Sequence, residues 1–395
     1  MNDDNTVAAI FNQGFEDYRS NQLLPIEHYK VANAIMACRT ASLGGHVHKC
    51  DTCGHEHIAY NSCRNRHCPQ CQALARAAWV EARMEDLLPV PYFHVVFTIP
   101  SELNPFALRN KEAFYPLMFK AVSETLLELA KDKKRLDAVM GFIAILHTWG
   151  QNLMDHPHIH CVVPGGGLQG NRWIHCKKRF LFPIPVMRTL FRGKLMAYFK
   201  KAVRDGDIQF HGTLEQYKNP IAFKTLLDNL YTQDWVVYVK PPFAGPKAVL
   251  KYLGSYTHRI AISNSRIISV KDGKVSFSWK DYADNNARKT MTLTLFEFIR
   301  RFLFHVVPKG FVRIRYYGFL GNRARKASIA ICRKVLGVRI KPETSSQTEK
   351  PSWVDICIKL TGNDPTLCPM CETGHLKQIR EIAASPPTYK SAKAA

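Results

Sequence analysis

Two histidines near the middle of the chain, His158 and His160, have a spacing that suits a metal ion. Residues two apart on a β-strand point to the same face, so both imidazoles would converge on one point. Imidazole is a good ligand for divalent metals. A metal site needs a third ligand, and the amide oxygen of Gln151 is favoured because a hard oxygen suits Mg²⁺ or Mn²⁺. His147 and Asp155 are the competing candidates.

A pair of tyrosines, Tyr252 and Tyr256, follows about a hundred residues later. In a helix, residues four apart lie on one face. A bound divalent cation neutralises a phosphodiester, and a tyrosine can then attack the phosphorus and form a covalent link. Taken alone, each pattern is more typical of a structural role, as core aromatics or as histidines at a strand end. The prediction of paired tyrosine nucleophiles therefore depends on their joint occurrence.

The cysteines form a third pattern, because two Cys-x-x-Cys pairs are separated by 14 residues. This is the spacing of a four-thiolate zinc ribbon, and a closed Zn²⁺ site of that kind has a structural role. The predicted ligands are Cys50, Cys53, Cys68 and Cys71. Cys63 and His67 are further candidates, for a second site or for exchange with the first. Cys368 and Cys371 form a separate, weaker candidate site that would need a partner such as Cys357 or a distant residue.

A small set of strands and helices must position these residues. Strands are predicted at 92–99, 142–149, 159–164 and 235–239 from their β-branched and aromatic content, with a hairpin turn between the second and third. A helix that starts at Pro246 would carry the tyrosines, and a strand-rich meander with a turn at Asp272-Gly273 follows over 258–295. Other helices are predicted within 1–40 and at 73–88, 104–129 and 184–204.

The charge of the 395-residue chain indicates a polyanionic partner. Its formal net charge is +23, and phosphate neutralisation by Lys and Arg drives most non-specific binding of nucleic acid. A membrane surface is the second candidate for the polyanionic partner. No run of 18 apolar residues and no signal peptide are found, so we expect a protein of the bacterial cytosol or nucleoid. In that reducing compartment paired cysteines favour metal over disulfides.

A basic stretch between residues 313 and 334 is interleaved with aromatic residues, a pattern in which bases of single-stranded DNA stack on rings while cations hold phosphates. The alternative is a solvated basic face over core aromatics. Arg259, close to the second tyrosine, is a candidate for contact with the scissile phosphate. The other candidate DNA-binding residues are Arg313, Arg315, Arg323, Arg325 and Lys326.

Three segments together resemble transposases of the insertion-sequence-91 type, which are two-tyrosine enzymes of the HUH superfamily (U is an apolar residue). They are HTWGQNLMDHPHIHCVVPGGGL from His147, YLGSYTHRIAISN from Tyr252 and FVRIRYYGFLGNRAR from Phe311, and CRNRHCPQCQ from Cys63 resembles the family's zinc-binding domain. The resemblance implies an α+β fold: an RRM-like antiparallel sheet bearing the HUH residues, with a zinc-binding N-terminal domain and a basic C-terminal region. It also implies rolling-circle-like transposition of single-stranded DNA ends into target DNA through a 5′-phosphotyrosine intermediate.

The predicted organisation is linear along the chain. A helical, zinc-binding domain spans 1–90, the nuclease domain 91–295 and a basic DNA-binding region 296–340. A linker and small zinc knuckle occupy 341–380, before a disordered tail at 381–395. No GxxxxGK[ST] phosphate loop is found, so host helicase or replication proteins would unwind the DNA. The alternative functions are a replication initiator or relaxase of the same superfamily, and a non-catalytic zinc-dependent DNA-binding regulator.

Overall fold

A computed structural model describes residues 4–84, 86–177, 180–240, 261–282, 284–338 and 352–385. The chain divides into two compact units, each assembled from separate stretches of sequence. Unit 1 comprises Met1–Trp79, His258–Val306 and Ser345–Ala395, and unit 2 comprises Val80–Thr257 and Val307–Thr344. Tyr252, Tyr256 and Arg259 lie outside the described residues.

The described residues form the following elements. The helices are α1 (Val7–Ser20), α2 (Ile26–Ala37), α3 (Gln72–Met84), α4 (Asn104–Arg109), α5 (Lys111–Lys131), α6 (Ile184–Arg204), α7 (Pro220–Thr232), α8 (Leu295–Phe304), α9 (Arg325–Val335) and α10 (Trp353–Thr361). The strands are β1 (Gly45–Cys50), β2 (Glu56–Tyr60), β3 (Tyr92–Thr98), β4 (Gly141–Trp149), β5 (Asp155–Pro164), β6 (Gly166–Gln169), β7 (Arg172–His175), β8 (Val236–Lys240), β9 (Ile267–Lys271), β10 (Lys274–Asp281), β11 (Ala287–Thr294), β12 (Ile314–Gly318) and β13 (Leu376–Ile382).

Unit 2 is built on a five-stranded sheet in the order β12-β4-β5-β3-β8, in which every neighbouring pair is antiparallel. One face is apolar, because alternate residues of each strand, such as Phe97, Phe142 and Ile159, join the core with α5 and α6. The other residues of the same strands, including His158 and His160, therefore occupy the opposite face. This combination of helices with an antiparallel sheet confirms the prediction of an α+β fold.

The opposite face of the same sheet has its own apolar cluster at one end. Tyr92, Ile143 and Val162 pack there with Trp173 of β7 and with Ile329 of α9. This cluster reaches the histidines, since its member Ile145 lies directly opposite His160. The sheet thus offers a firmly packed support next to a polar region.

Unit 1 joins the two ends of the sequence. Strand β13 pairs antiparallel with β1, which also pairs with β2. Helix α1 packs against α8, where Phe11 and Phe302 lie edge to face at 5.3 Å between ring centroids. The close approach of these helices requires Gly14, since a Cβ there would lie 2.9 Å from the Leu295 Cβ.

The structure groups the segments differently from the linear organisation predicted from the sequence. The basic region 296–340 is divided, because α8 packs in unit 1 while β12 adds an edge to the sheet of unit 2. The predicted C-terminal knuckle is not a separate module, because β13 completes the N-terminal sheet. Pairings between residues that are hundreds of positions apart leave no local periodic signal, so neither was foreseen.

Candidate active site and zinc centres

Three histidines come together on the open face of the unit 2 sheet. Antiparallel pairing of β4 with β5 sets His147 directly opposite His158, and His160 follows two residues later on the same face. One ring nitrogen from each imidazole lies within 4.8 Å of the others. His147 and His160 are buried, while His158 is half-buried. Three converging imidazoles form a donor set that fits a divalent metal and leaves coordination positions for a substrate or water.

Hydrogen bonds from outside the cluster orient two of the imidazoles. The Nδ1 of His158 lies 2.6 Å from the carbonyl oxygen of His156, to which it can donate. The Nδ1 of His160 lies 2.7 Å from Nε2 of His94 on β3. Both contacts engage Nδ1, so Nε2 of each ring is the nitrogen available to a metal. Such outer contacts fix the tautomer and the direction of a metal-binding histidine.

His94 is buried and neutral at physiological pH. Burial, together with the positive charge of Lys240, lowers its pKa to about 4. A neutral His94 can accept the Nδ1 proton of His160, which a charged imidazolium could not do. The contact of His94 with His160 could not be predicted from the sequence without the register of β3 against β5.

The third group in the cluster is His147, one of the two competitors of Gln151. Gln151 lies in the turn that follows β4 and is half-buried. Its assignment as a ligand stays a prediction. A hairpin whose turn is centred near Leu153, which has a positive φ of 62°, brings His147 level with His158. The sequence signal for this pairing was the turn-forming run around Gly150 and Asn152.

Asp155, the other competitor, lies in different surroundings. Burial raises the pKa of its carboxyl to about 7, and the charge of Lys111 on α5 opposes that rise. Burial in turn lowers the pKa of Lys111 to about 8. Burial on α5, and then the charge of the same carboxyl, raises the pKa of Tyr115. Asp155 therefore interacts with the helical layer and is not a member of the histidine cluster.

The first cysteine cluster of unit 1 contains Cys38, Cys63, Cys68 and Cys71, whose sulfur atoms all lie within 4.8 Å of one another. Cys63 and Cys71 are 3.7 Å apart. A tetrahedron with Zn–S bonds of about 2.3 Å has S–S edges of about 3.8 Å, so the spacing fits zinc. His67 is buried but is not in the cluster, and Cys38 on the end of α2 takes the fourth position.

The second cluster joins the two ends of the chain. Cys50 and Cys53 meet Cys368 and Cys371, with S–S distances of 3.7 Å from Cys50 to Cys371 and from Cys53 to Cys368. Backbone hydrogen bonds from Thr373 and Gly374 lower the pKa of Cys371 to about 5, which favours the thiolate that binds zinc.

The two predicted knuckles thus belong to different clusters. A single ribbon of Cys50, Cys53, Cys68 and Cys71 was predicted, but the β13–β1 pairing supplies Cys368 and Cys371 to the first knuckle. The second knuckle then closes with Cys63 and Cys38. Cys38 carries no Cys-x-x-Cys partner in the sequence, which is why spacing alone missed it.

The candidate DNA-binding arginines occupy several environments. Arg315 packs over the rings of Phe119 (4.2 Å) and Phe311 (5.5 Å), on the helix-covered side of the sheet. Arg325 lies over Tyr316 at 5.2 Å on the histidine-bearing side, with its Nε 3.6 Å from Asp86. Arg313 is half-buried, whereas Arg323 and Lys326 are exposed.

Comparison with known proteins gives consistent matches. A family model described as "Putative transposase" matches residues 141–328, and one described as "Transposase zinc-binding domain" matches residues 10–99. The chain is 49% identical over 376 residues to "Putative transposase y4qJ" of Sinorhizobium fredii, covering 94% of each chain. It is 26% identical over 358 residues to "Transposase for insertion sequence element IS801" of Pseudomonas savastanoi pv. phaseolicola, covering 85% of this chain and 80% of that protein. No solved structure matches it.

These matches define the chain as a transposase with a zinc-binding domain. It belongs to the transposase family of the insertion-sequence-91 type, which confirms the resemblance seen in the sequence. Its cysteine clusters confirm the expectation of zinc. Among the described residues, no helix combines the length and the apolar content needed to cross a membrane.

Proposed function

We propose that this transposase nicks and transfers single-stranded DNA by a metal-assisted tyrosine mechanism. His158, His160 and His147 hold a Mg²⁺ or Mn²⁺ ion, and Tyr252 and Tyr256 are the nucleophiles. The observation that carries the proposal is the convergence of the three imidazoles within 4.8 Å on a sheet face, in a chain of a DNA-transposing family. Gln151 stays a candidate for an additional metal ligand.

The bound cation would neutralise the phosphate oxygens and orient the scissile phosphate. The hydroxyl oxygen of one tyrosine then bonds to phosphorus while the bond from phosphorus to the 3′-oxygen breaks. The phenolic proton passes to water, and the departing oxygen takes a proton to become a 3′-hydroxyl. The product is a 5′-phosphotyrosine, whose bond a DNA 3′-hydroxyl can later attack to join strands without ATP.

The histidine contacts explain how the protein prepares this chemistry. His156 and His94 fix the rings of His158 and His160 before any metal arrives, because both contacts form within the protein. Preorganised ligands lose less freedom on binding, so the cation and the phosphate are held at one defined point. The four-thiolate clusters are closed sites without an open position, and their proposed role is to brace unit 1 rather than to catalyse.

A covalent-adduct assay tests this function. The full chain is incubated with a labelled single-stranded element end in a buffer freed of divalent ions, to which Mg²⁺ or Mn²⁺ is added back. We expect a labelled protein band that Tyr252→Phe with Tyr256→Phe abolishes, whereas Tyr282→Phe, at an exposed tyrosine of unit 1, keeps it. His158→Ala should remove the adduct and leave most DNA affinity.

Two outcomes would contradict the mechanism. Absence of an adduct with every element-end sequence and both metals leaves only DNA binding, as in a zinc-dependent regulator. A large loss of DNA affinity in His158→Ala would instead indicate that the histidine pair maintains the fold. The single tyrosine variants separately report whether one or both nucleophiles act on a given strand.

A further inference from the structure

We propose that Tyr238, on the edge strand of the unit 2 sheet, is a stacking platform for a nucleobase of the single strand whose backbone lies at the histidine cluster. The inference rests on the proposed function, which brings single-stranded DNA to that face. It adds a base-binding subsite to the metal site, and it assigns the side of the sheet toward which the strand runs.

The strand register sets Tyr238 and the cluster on the same face. Val96 of β3 is opposite Tyr238 on one side and opposite His160 on the other. Directly opposed residues of antiparallel strands point to the same face of a sheet. Tyr238 is therefore two strands away from His160, a distance of about 10 Å at the usual strand spacing. A nucleotide or two adjoining the bound phosphate can bridge that distance.

Exposure alternates along β8 as a binding face requires. Tyr238 is 52% exposed and Val236 is 57% exposed, while Val237 between them is only 5% exposed because it joins the helix-covered core. A single exposed aromatic residue is ordinary on a protein surface. What distinguishes Tyr238 is that its ring lies in the same cross-strand row as a metal-binding histidine.

Positive charge in the neighbouring row of the same face favours an anionic strand. Lys240 is opposite His94, which is opposite Val162 in turn, so this register sets Lys240 on the histidine-bearing face, two residues from Tyr238 on β8. A cation beside an exposed ring is the combination that binds single strands without regard to sequence: the ring stacks on a base while the cation attracts a phosphate.

A tyrosine on the opposite edge of the sheet, on β12, has different surroundings, and this difference favours a single strand that runs toward β8. Tyr316 of β12 shares the histidine-bearing face, but the guanidinium groups of Arg83 and Arg325 lie over its ring at 5.6 and 5.2 Å. Arg83 also donates to the Tyr316 hydroxyl at 3.0 Å. That ring is already in contact with cations, whereas within the part of the chain that the structure describes no cation lies over the ring of Tyr238, which is 52% exposed.

The test measures binding and contact separately from cleavage. Fluorescein-labelled oligodeoxythymidylate of 20 nucleotides is titrated with the full chain, and 5-iodouracil at single positions is used for photocrosslinking and peptide mapping. We expect a crosslink at Tyr238. Tyr238→Leu should weaken binding by roughly 5- to 150-fold, the range for loss of one stacked base. Tyr238→Phe, which keeps the ring, should stay within about twofold of the wild type.

Two controls separate stacking from general effects. Tyr282→Leu removes another exposed tyrosine, in unit 1, and should leave affinity unchanged. The slope of log affinity against log salt should be the same in Tyr238→Leu as in the wild type, because no phosphate contact is lost.

An unchanged affinity in Tyr238→Leu overturns the proposal. So does a change from dimer to monomer on that substitution in sedimentation, which would make β8 a subunit interface. These outcomes are distinct from failure of the proposed function. An adduct that forms normally in a chain with no Tyr238 crosslink contradicts only the platform, whereas a Tyr238 crosslink without any adduct contradicts only the tyrosine chemistry.

Discussion

His94 and His160 lie on adjacent strands with Nε2 of the first 2.7 Å from Nδ1 of the second, and their rings are nearly parallel at 7°. Both side chains are buried. Because Nδ1 of His160 is held in this way, its Nε2 points in a fixed direction. The pair thus links the packed interior of β3 to the proposed metal.

Replacement of His94 should weaken metal binding without removing a ligand. In His94→Leu the Nδ1 of His160 loses its acceptor, so we expect the dissociation constant for Mn²⁺ to rise roughly 10- to 100-fold. His94→Gln offers a side-chain oxygen near the original Nε2 and should recover much of the affinity. Titration followed by electron paramagnetic resonance of free Mn²⁺ measures both. Equal affinities for the Leu and Gln variants would show that the contact does not orient His160.

The third ligand can be decided by comparing His147→Ala with Gln151→Ala. His147 is within 4.8 Å of both partner imidazoles, so its loss should weaken Mn²⁺ binding by at least about tenfold and reduce adduct formation in parallel. Gln151→Ala should change the affinity by less than about threefold. If Gln151→Ala weakens Mn²⁺ binding strongly and His147→Ala does not, the amide of Gln151 completes the site and the imidazole of His147 does not.

Zinc content should report two independent four-cysteine sites. The purified chain is expected to carry two zinc ions, since each cluster supplies four thiolates. Elemental mass spectrometry measures the zinc content per chain. Cys38→Ser and Cys53→Ser should each remove one zinc from a different cluster. Cys176→Ser is the matched control, because this half-buried cysteine belongs to neither cluster. A wild-type chain with one zinc, lost with Cys68→Ser but kept with Cys38→Ser, would restore the single-ribbon prediction.

Local patterns were sufficient for much of the fold and for part of the site. The β-branched and aromatic content of the sequence predicted β3, β4, β5 and β8. The turn at Asp272-Gly273 was predicted from its residue types, both of which adopt positive φ. His158 and His160 could be grouped because their separation of two residues is a local property of a strand.

The parts that could not be predicted depend on pairings between distant residues. His94 reaches His160 only through the β3–β5 register, and Cys50 reaches Cys371 only because β13 closes the N-terminal sheet. Strand β12 was not predicted, because it lies in a basic segment whose composition indicated a DNA-binding region more strongly than an edge strand. In each case the information lies in long-range packing, which a single sequence does not display.

The buried carboxyl of Asp155 should make stability depend on pH. Its pKa in the folded chain is about 7, above the ordinary value of 3.8, so between these values the folded state binds more protons than the unfolded state. Its contribution to the free energy of unfolding is therefore full below about pH 4 and is lost as the pH rises through 7. Asp155→Asn removes this titration and should flatten the dependence, with a gain of roughly 1–3 kcal/mol above pH 7.

Thermal melts from pH 5.5 to 8 test this expectation, in a range where the zinc-binding thiolates are less exposed to protonation than in stronger acid. The wild-type melting temperature should fall toward the upper end relative to that of Asp155→Asn. Asp207→Asn, at an exposed carboxylate, serves as the control and should follow the wild type. Parallel curves for Asp155→Asn and the wild type would mean that the carboxyl is already charged in the folded chain, with Lys111 compensating for its burial.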